Sequence, residues 1–329
     1  MVDLKTFYLG LALKNPLVVS ASPLTNDLDA VMQLEAAGAS AVVLRSIFEE
    51  QIQTDVSDMV TALEDDTSMA ALEYLRADLP GQIGPEQYIE KIQEMRKHLK
   101  IPVIASVNCV NPSQWVAYAK KIENAGADAL ELNLYHMPVD ALETSEKVEA
   151  RYLALAKAVM AEVSLPVAVK LSNHVTALIP LARRLSDLGV RGLVFFNRFL
   201  QTDVNIDKEA IFYATNYSNS SVLHSQLRWT AVVRDWVSCD LAISGGIHTG
   251  ADLVKALLVG ADVGCICSAL YLRHDNTVIR EILDGLTNWM TTKGYTTLAD
   301  FRGKLRETDL QDGVGFERSQ YVKAAIEIT

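Results

Sequence analysis

Four times in this chain a helical pattern ends on a glycine and a short apolar run starts at once. The junctions read Gly38-Ala-Ser-Ala-Val-Val-Leu, Gly126-Ala-Asp-Ala-Leu-Glu-Leu, Gly189-Val-Arg-Gly-Leu-Val-Phe and Gly260-Ala-Asp-Val-Gly-Cys-Ile. Glycine accepts the left-handed backbone that stops a helix, so each junction reads as helix, turn, strand. The strand-length runs are Leu17–Ala21, Ala41–Leu44, Val103–Val107, Ala129–Leu134, Val167–Leu171, Gly192–Phe196, Leu241–Ser244 and Val263–Cys267. They are near-continuously apolar rather than alternating, as parallel strands buried on both faces must be. Helical patterns separate them at Asp27–Ala37, Pro85–Leu99, Pro112–Ala125, Ser145–Val163, Thr176–Leu188, Gln226–Val237 and Thr249–Val259. Strand and helix alternating eight times predict a (β/α)8 TIM barrel. A doubly wound open sheet is the rival architecture. It would carry its phosphate signature after the first strand, whereas this chain carries one at its last two.

That signature is Leu241-Ala-Ile-Ser-Gly-Gly-Ile-His-Thr-Gly250 followed by Gly260-Ala-Asp-Val-Gly-Cys-Ile-Cys-Ser-Ala-Leu270. Small residues at two successive strand ends let backbone N–H groups approach an anion closely, and the loops after strands seven and eight are where such barrels hold phosphate. A tight turn at Gly245-Gly246 is the plainer alternative. The other strand ends carry Ser20 and Ser22, Arg45, Asn108, Asn133, Lys170 and Asn197. Amides, one lysine, one arginine and a phosphate cradle suit a planar heteroaromatic cofactor with a phosphate tail. Clustered His or carboxylate ligands, which a metal would need, are lacking from that ring.

Length and composition fit one domain spanning residues 1–329, half of whose residues are hydrophobic. Two connections are too long for simple barrel loops, Ser46–Gly84 with its acidic run Glu64-Asp65-Asp66, and Arg198–Leu223, which is polar and carries Tyr213 and Tyr217. Both leave carboxyl ends of strands, so they read as lids, substrate covers or subunit contacts, with solvated insertions as the bland alternative. Asn276–Gly294 reads as a closing helix with Trp289 and Met290 on its buried side. The net charge of −11 disfavours nucleic acid as a partner. No run of 18 apolar residues and no secretory pattern at the start are present, so a cytoplasmic protein without a membrane partner is expected. The four cysteines show no zinc spacing and read as reduced thiols.

With those residues in hand, the chain resembles the dihydroorotate dehydrogenase family of flavin mononucleotide (FMN) barrels. The resemblance is carried by Leu13-Lys-Asn-Pro-Leu-Val-Val-Ser-Ala-Ser22, Gly38-Ala-Ser-Ala-Val-Val-Leu-Arg-Ser46, Glu131-Leu-Asn-Leu134, Val167-Ala-Val-Lys-Leu171, Ser244-Gly-Gly-Ile247, Cys267-Ser-Ala-Leu270 and the ending Tyr295-Thr-Thr-Leu-Ala-Asp-Phe-Arg-Gly303. It implies FMN as cofactor. It further implies that Ala21, Ser22, Arg45, Asn108, Asn133, Lys170 and Asn197 meet flavin or substrate, and that Ser244, Gly245, Gly246, Cys267 and Ser268 hold the phosphate. Lys170 would stabilise the negative charge of reduced flavin; a lysine snorkelling into solvent is the alternative. Asn133 and Asn197 suit an amide-rich pyrimidine edge, or cap loops as Asx turns.

Where the family carries Asn-Leu-Ser-Cys-Pro-Asn or a close variant, this chain reads Asn133-Leu-Tyr-His-Met-Pro138. His136 falls at the position of the proton-abstracting base, and histidine is competent for that role. Tyr135 and Met137 remain alternatives for that place, and an exposed loop histidine is the plain reading of His136. Arg45 stands where the family usually has Lys, Gln82 loosely matches a family Asn, and Arg198 follows Asn197 where the family has Ser or Thr. Arg45, Gln82, Asn133, Asn197 and Arg198 are thus the expected substrate contacts. The resemblance implies dihydroorotate oxidation to orotate in pyrimidine biosynthesis and, with the polar Tyr-containing insertion, a homodimer using Gln201–Val222; with no CxxC cluster and no amphipathic N-terminal extension, a soluble electron acceptor is the default expectation. A related FMN enzyme acting on another planar substrate, such as a different pyrimidine, is one alternative. A flavin-free phosphate-binding barrel is the other.

Overall fold

The computed structural model describes residues 2–49, 84–108, 112–134, 136–197, 202–213 and 217–306. It opens with an antiparallel hairpin, β1 (Thr6–Tyr8) and β2 (Leu11–Leu13). Parallel strands β3 (Leu17–Val19) and β4 (Ala41–Val43) follow, with β5 (Ile47–Phe48) as a short extension pairing with the next strand. Then come β6 (Val103–Asn108), β7 (Ala129–Asn133), β8 (Val167–Ser172) and β9 (Gly192–Asn197). A second hairpin, β10 (Thr202–Asn205) with β11 (Ala210–Tyr213), precedes the last two barrel strands, β12 (Asp240–Ser244) and β13 (Val263–Ile266). Pairing runs β3-β4-β6-β7-β8-β9-β12-β13, and Gly264 opposite Leu17 returns the sheet to β3. The result is a closed eight-stranded parallel barrel.

All eight predicted strands are present within a residue or two, and the expected glycines all sit at positive φ, from 91° at Gly126 to 121° at Gly38. Helices α1 (Leu28–Ala37), α2 (Pro85–His98), α3 (Pro112–Asn124), α4 (Ser145–Glu162), α5 (Leu178–Asp187), α6 (Leu223–Val233) and α7 (Gly250–Leu258) fill the outer ring. A short α8 (Ser268–Arg273) and the closing α9 (Thr277–Lys293) complete it. Met290 of α9 is buried and Trp289 packs partly buried beside it, as read from the sequence. The pattern expected from Gln226 to Val237 starts earlier, at Leu223, and finishes in a 3-10 turn, Arg234–Trp236.

The strands divide their side chains between two apolar layers. One face packs against the helices. The other fills the barrel with small and branched residues, among them Val18, Ala41, Val43, Ala129, Ala168, Val194, Ala242 and Val263. Tyr8, Leu9 and Leu13 of the opening hairpin plug this interior from one end. Asp240 at the start of β12 fixes the plug by accepting the Leu9 N–H at 2.6 Å. A clasp lies at the same end. Asp262 accepts from Arg302 Nη1 at 2.9 Å and Arg234 Nη1 at 3.2 Å, and Arg302 Nη2 donates to Thr6 Oγ1 at 2.6 Å. One carboxylate thus binds the chain's beginning to its late segment through charge-assisted bonds. With this end stopped, the opposite mouth, at the carboxyl ends of the strands, is left for function. Among the described residues no helix is long and apolar enough to cross a membrane.

Candidate functional site

The carboxyl ends of three adjacent strands bring Asn108, Asn133 and Lys170 into one register row, Asn108 opposite Asn133 and Asn133 opposite Lys170. Asn197, at the end of β9, donates from Nδ2 to Asn133 Oδ1 at 2.9 Å. The two amides therefore fix each other's orientation.

Lys170 is the sharpest feature. Its side chain does not snorkel, because only 7% of the residue is exposed. The Val-Ala-Val run before it is wholly enclosed, so the stem has no path to solvent. Among the described residues, no hydrogen bond or ion pair engages its ammonium. Burying a cation without a hydrogen bond is costly, and a ligand acceptor would offset that cost. Beneath this row, Glu131 is buried too, accepting from Ser106 Oγ at 3.3 Å, and Ser106 meets Ser46 Oγ at 2.8 Å. Arg45 stands half-buried at the end of β4.

On the other side of the mouth lie the residues expected to hold phosphate. Gly245 and Gly246 have φ of 92° and 80°, both left-handed. A Cβ at Gly246 would come within 2.7 Å of the Leu223 nitrogen, so the turn is pressed against the start of α6 and no larger residue fits. Ser244 Oγ lies 3.3 Å from Ser20 Oγ, joining β12 to β3. Ser22 Oγ is buried without a hydrogen-bond partner, beside Cys267 and Tyr271. Burial pushes the Cys267 thiol upward, so it stays neutral and does not repel an anion. Ala21 and Ser268 are half-buried at the same rim. A glycine turn a Cβ would fill, an orphan hydroxyl and a buried ammonium without a hydrogen bond fit a flat ligand with an anionic tail. Among the described residues no group of three or more His, Cys, Asp or Glu gathers to hold a metal.

The loop after β7 departs from its plain reading. His136 is not an exposed loop histidine: its side chain is 20% exposed and its Nε2 lies 2.7 Å from Glu143 Oε2. Arg151 on α4 completes the cluster, with Nη2 donating to Glu143 Oε1 at 2.6 Å and Nη1 3.2 Å from the same imidazole nitrogen. The His136 hydrogen bond is the main reason that the Glu143 carboxyl is held below the usual range. An ionised Glu143 at that distance assigns the proton to Nε2, and Nδ1 has no partner among the described residues. Spacing alone did not reveal Glu143 and Arg151, because they reach His136 only after the loop folds back on α4. Tyr135, Gln82 and Arg198 lie outside the described residues, as do the acidic run Glu64-Asp65-Asp66 and Cys109.

The family model for dihydroorotate dehydrogenase matches residues 3–290. The chain belongs to the dihydroorotate dehydrogenase family. It is similar to dihydroorotate dehydrogenase B (NAD(+)), catalytic subunit, of Thermoplasma acidophilum, 25% identical over 92% of this chain and 99% of that one. Dihydroorotate dehydrogenase A (fumarate) of Lactobacillus delbrueckii subsp. bulgaricus is 25% identical over 90% of this chain and 96% of its own. The NAD(+) catalytic subunit of Pyrococcus abyssi is 26% identical over 92% and 98%. The fold is therefore that of a family of oxidoreductases acting on CH–CH bonds.

Proposed function

We propose that the chain is an FMN-dependent dehydrogenase that oxidises dihydroorotate to orotate. The observation that carries this is the buried, unpaired Lys170 in one register row with Asn108 and Asn133. Ala21, Ser22, Arg45, Asn108, Asn133, Lys170 and Asn197 would surround the flavin. Ser244, Gly245, Gly246, Cys267 and Ser268 would hold its phosphate. Bound FMN would supply the acceptor for a hydride from the substrate carbon. Lys170 then supplies positive charge where the ring system gains negative charge, without having to leave solvent or reorganise. Asn133 and Asn197 present fixed amide edges to a pyrimidine, and Arg45 offers a planar fork to a substrate carboxylate. Gln82 and Arg198 are proposed substrate contacts from sequence alone. His136 takes the substrate proton at Nδ1, with Nε2 anchored on Glu143.

Anaerobic addition of dihydroorotate to the purified yellow protein tests the reading: the flavin absorbance should bleach. Bleaching only by another dihydropyrimidine would transfer the assignment to that substrate. A colourless protein that takes up no added FMN would leave a flavin-free barrel. Within a flavin-loaded protein, Lys170→Ala should lower the midpoint potential by about 60 mV, taking about 2.8 kcal/mol for a lost charge contact and a two-electron couple. An unchanged potential would remove Lys170 from the flavin.

The electron acceptor is proposed to be a soluble molecule, and the protein a cytoplasmic homodimer. The post-β9 insertion supports the dimer. Its composition is polar, yet its hairpin exposes Val204, Ile206, Ile211 and Phe212, with Ile206 83% exposed. A small protruding sheet with bare apolar side chains calls for a partner surface. Light scattering should give twice the chain mass at micromolar concentration, and Ile206→Asp with Ile211→Asp should halve it. A monomer before substitution would refute the dimer.

A further inference from the structure

The stretch of chain that leads from the insertion into α6 lies across the phosphate cradle. Ser218 is buried there. Its Oγ accepts the Gly246 N–H at 3.1 Å, and its own N–H donates to Ser268 Oγ at 2.9 Å. The same Oγ lies 3.3 Å from Nε2 of His248. Ser218 therefore bridges the end of β12, through its hydroxyl, and the start of α8, through its backbone N–H, with an imidazole directly behind the hydroxyl. The arrangement is held from the far side. Ser220 Oγ donates to Asp252 Oδ2 at 2.9 Å, the oxygen that also accepts the His248 N–H at 3.2 Å and the Thr249 N–H at 3.1 Å. Tyr217 stacks on Tyr271 of α8, ring centres 5.4 Å apart, closing the segment's outer end.

The groups converging on the cradle are backbone N–H groups, hydroxyls and His248. Among the described residues hydrogen-bonded to one another there, His248 is the one able to carry a positive charge. Resting on the FMN reading, we infer that His248 is the proton-linked cation of the phosphate site: it takes up a proton when the phosphate monoester enters and adds, through Ser218 or directly, a charge-assisted contact. Neither residue figured among the expected site residues, and the role concerns binding rather than hydride transfer.

The electrostatic setting supports a switch on binding. Burial holds the His248 imidazole below its ordinary range, while the Asp252 carboxylate pulls the other way. Burial opposes ionisation of Asp252, but bonds from Ser220, Thr249 and the His248 N–H outweigh it, so that carboxyl stays below the usual range. Lys255, 3.6 Å from Asp252 Oδ1, is the other charge on α7 near the group. The other described neighbours are Gly246, Ser218 and Ser268, which do not titrate, and Cys267 and Tyr271, whose thiol and hydroxyl burial pushes upward and keeps neutral. The imidazole is therefore mainly neutral in the free protein near pH 7. A phosphate dianion nearby favours the imidazolium and raises its pKa. Binding that takes up a proton weakens as pH rises toward and through the raised value of the bound state, by up to tenfold per pH unit. Below the lowered value of the free state the dependence disappears, because His248 is already charged. The phosphate's own second ionisation, near about 6, acts with the opposite sign, so the measurement belongs above it.

Calorimetric titration of the flavin-stripped, unsubstituted protein at pH 7.5, in two buffers of different ionisation enthalpy, reads the proton count. FMN should bind with net proton uptake, and riboflavin, which lacks the phosphate, with none. His248→Gln should abolish the uptake, weaken FMN about tenfold at pH 7 and less at pH 8.5, and leave riboflavin binding unchanged. Ser218→Ala should weaken FMN while retaining pH dependence. Equal FMN affinity and equal proton uptake in folded His248→Gln and the parent would overturn the inference and leave the flavin reading standing. A parent protein that binds neither FMN nor riboflavin would overturn both.

Discussion

An aspartate in place of Gly246 is expected to leave the purified protein colourless. Two effects add. The residue sits at φ of 80°, with Leu223 2.7 Å from where a Cβ would stand, so any side chain must push the start of α6 away. The added carboxylate would also face the phosphate. At about 4 Å and an effective dielectric near 20, like unit charges repel by about 4 kcal/mol, which is about 10³-fold in affinity. Gly246→Ala separates the terms, because it carries the steric cost without the charge and should retain partial flavin. Absorbance of the flavin relative to protein, with a thermal melt to show folding, reads both. A folded Gly246→Asp protein with full flavin content would move the phosphate elsewhere.

His136→Ala should slow substrate-dependent flavin reduction by about 10²–10⁴-fold while the flavin stays bound. The loss follows from the base's geometry. Glu143 holds the imidazole by Nε2 and is itself held by Arg151, so the ring is oriented and its other nitrogen is free to accept a proton. Stopped-flow absorbance under anaerobic conditions measures the rate. Reduction as fast as in the parent would discard His136 and turn attention to Tyr135, which lies outside the described residues.

The barrel was legible because its signal is repeated. A glycine ending each helix and a solid apolar run beginning each strand are local rules, and a parallel barrel obeys them at every turn. The opening hairpin was not legible. Its strands have three residues each, and Phe7 lies exposed between two buried neighbours, too short a stretch for an alternation to register. The β10–β11 hairpin was hidden for another reason. Asp203, Asn205, Asp207, Lys208 and Glu209 dominate the composition and mask the apolar residues between them. At the site, strand ends could be read from sequence because barrel geometry sends them to one mouth. The anchoring of His136 could not, because Glu143 belongs to a loop whose path depends on α4. Gln82 and Arg198 lie outside the described residues.

The pairing of Gly264 with Leu17 joins the last barrel strand to the first, so the wall cannot be completed until almost the whole chain exists. On the ribosome, a chain that has emerged through β12 carries β3 and β12 as two raw edges, each with a row of unpaired backbone groups that invite other strands. The Asp262 clasp comes later still, since Arg302 must emerge to reach it. Synthesis speed and chaperone cover therefore bear on yield more than on final stability. Loss of the last strand would open the wall rather than shorten an end, and the resulting chain would be prone to clump before it could be degraded.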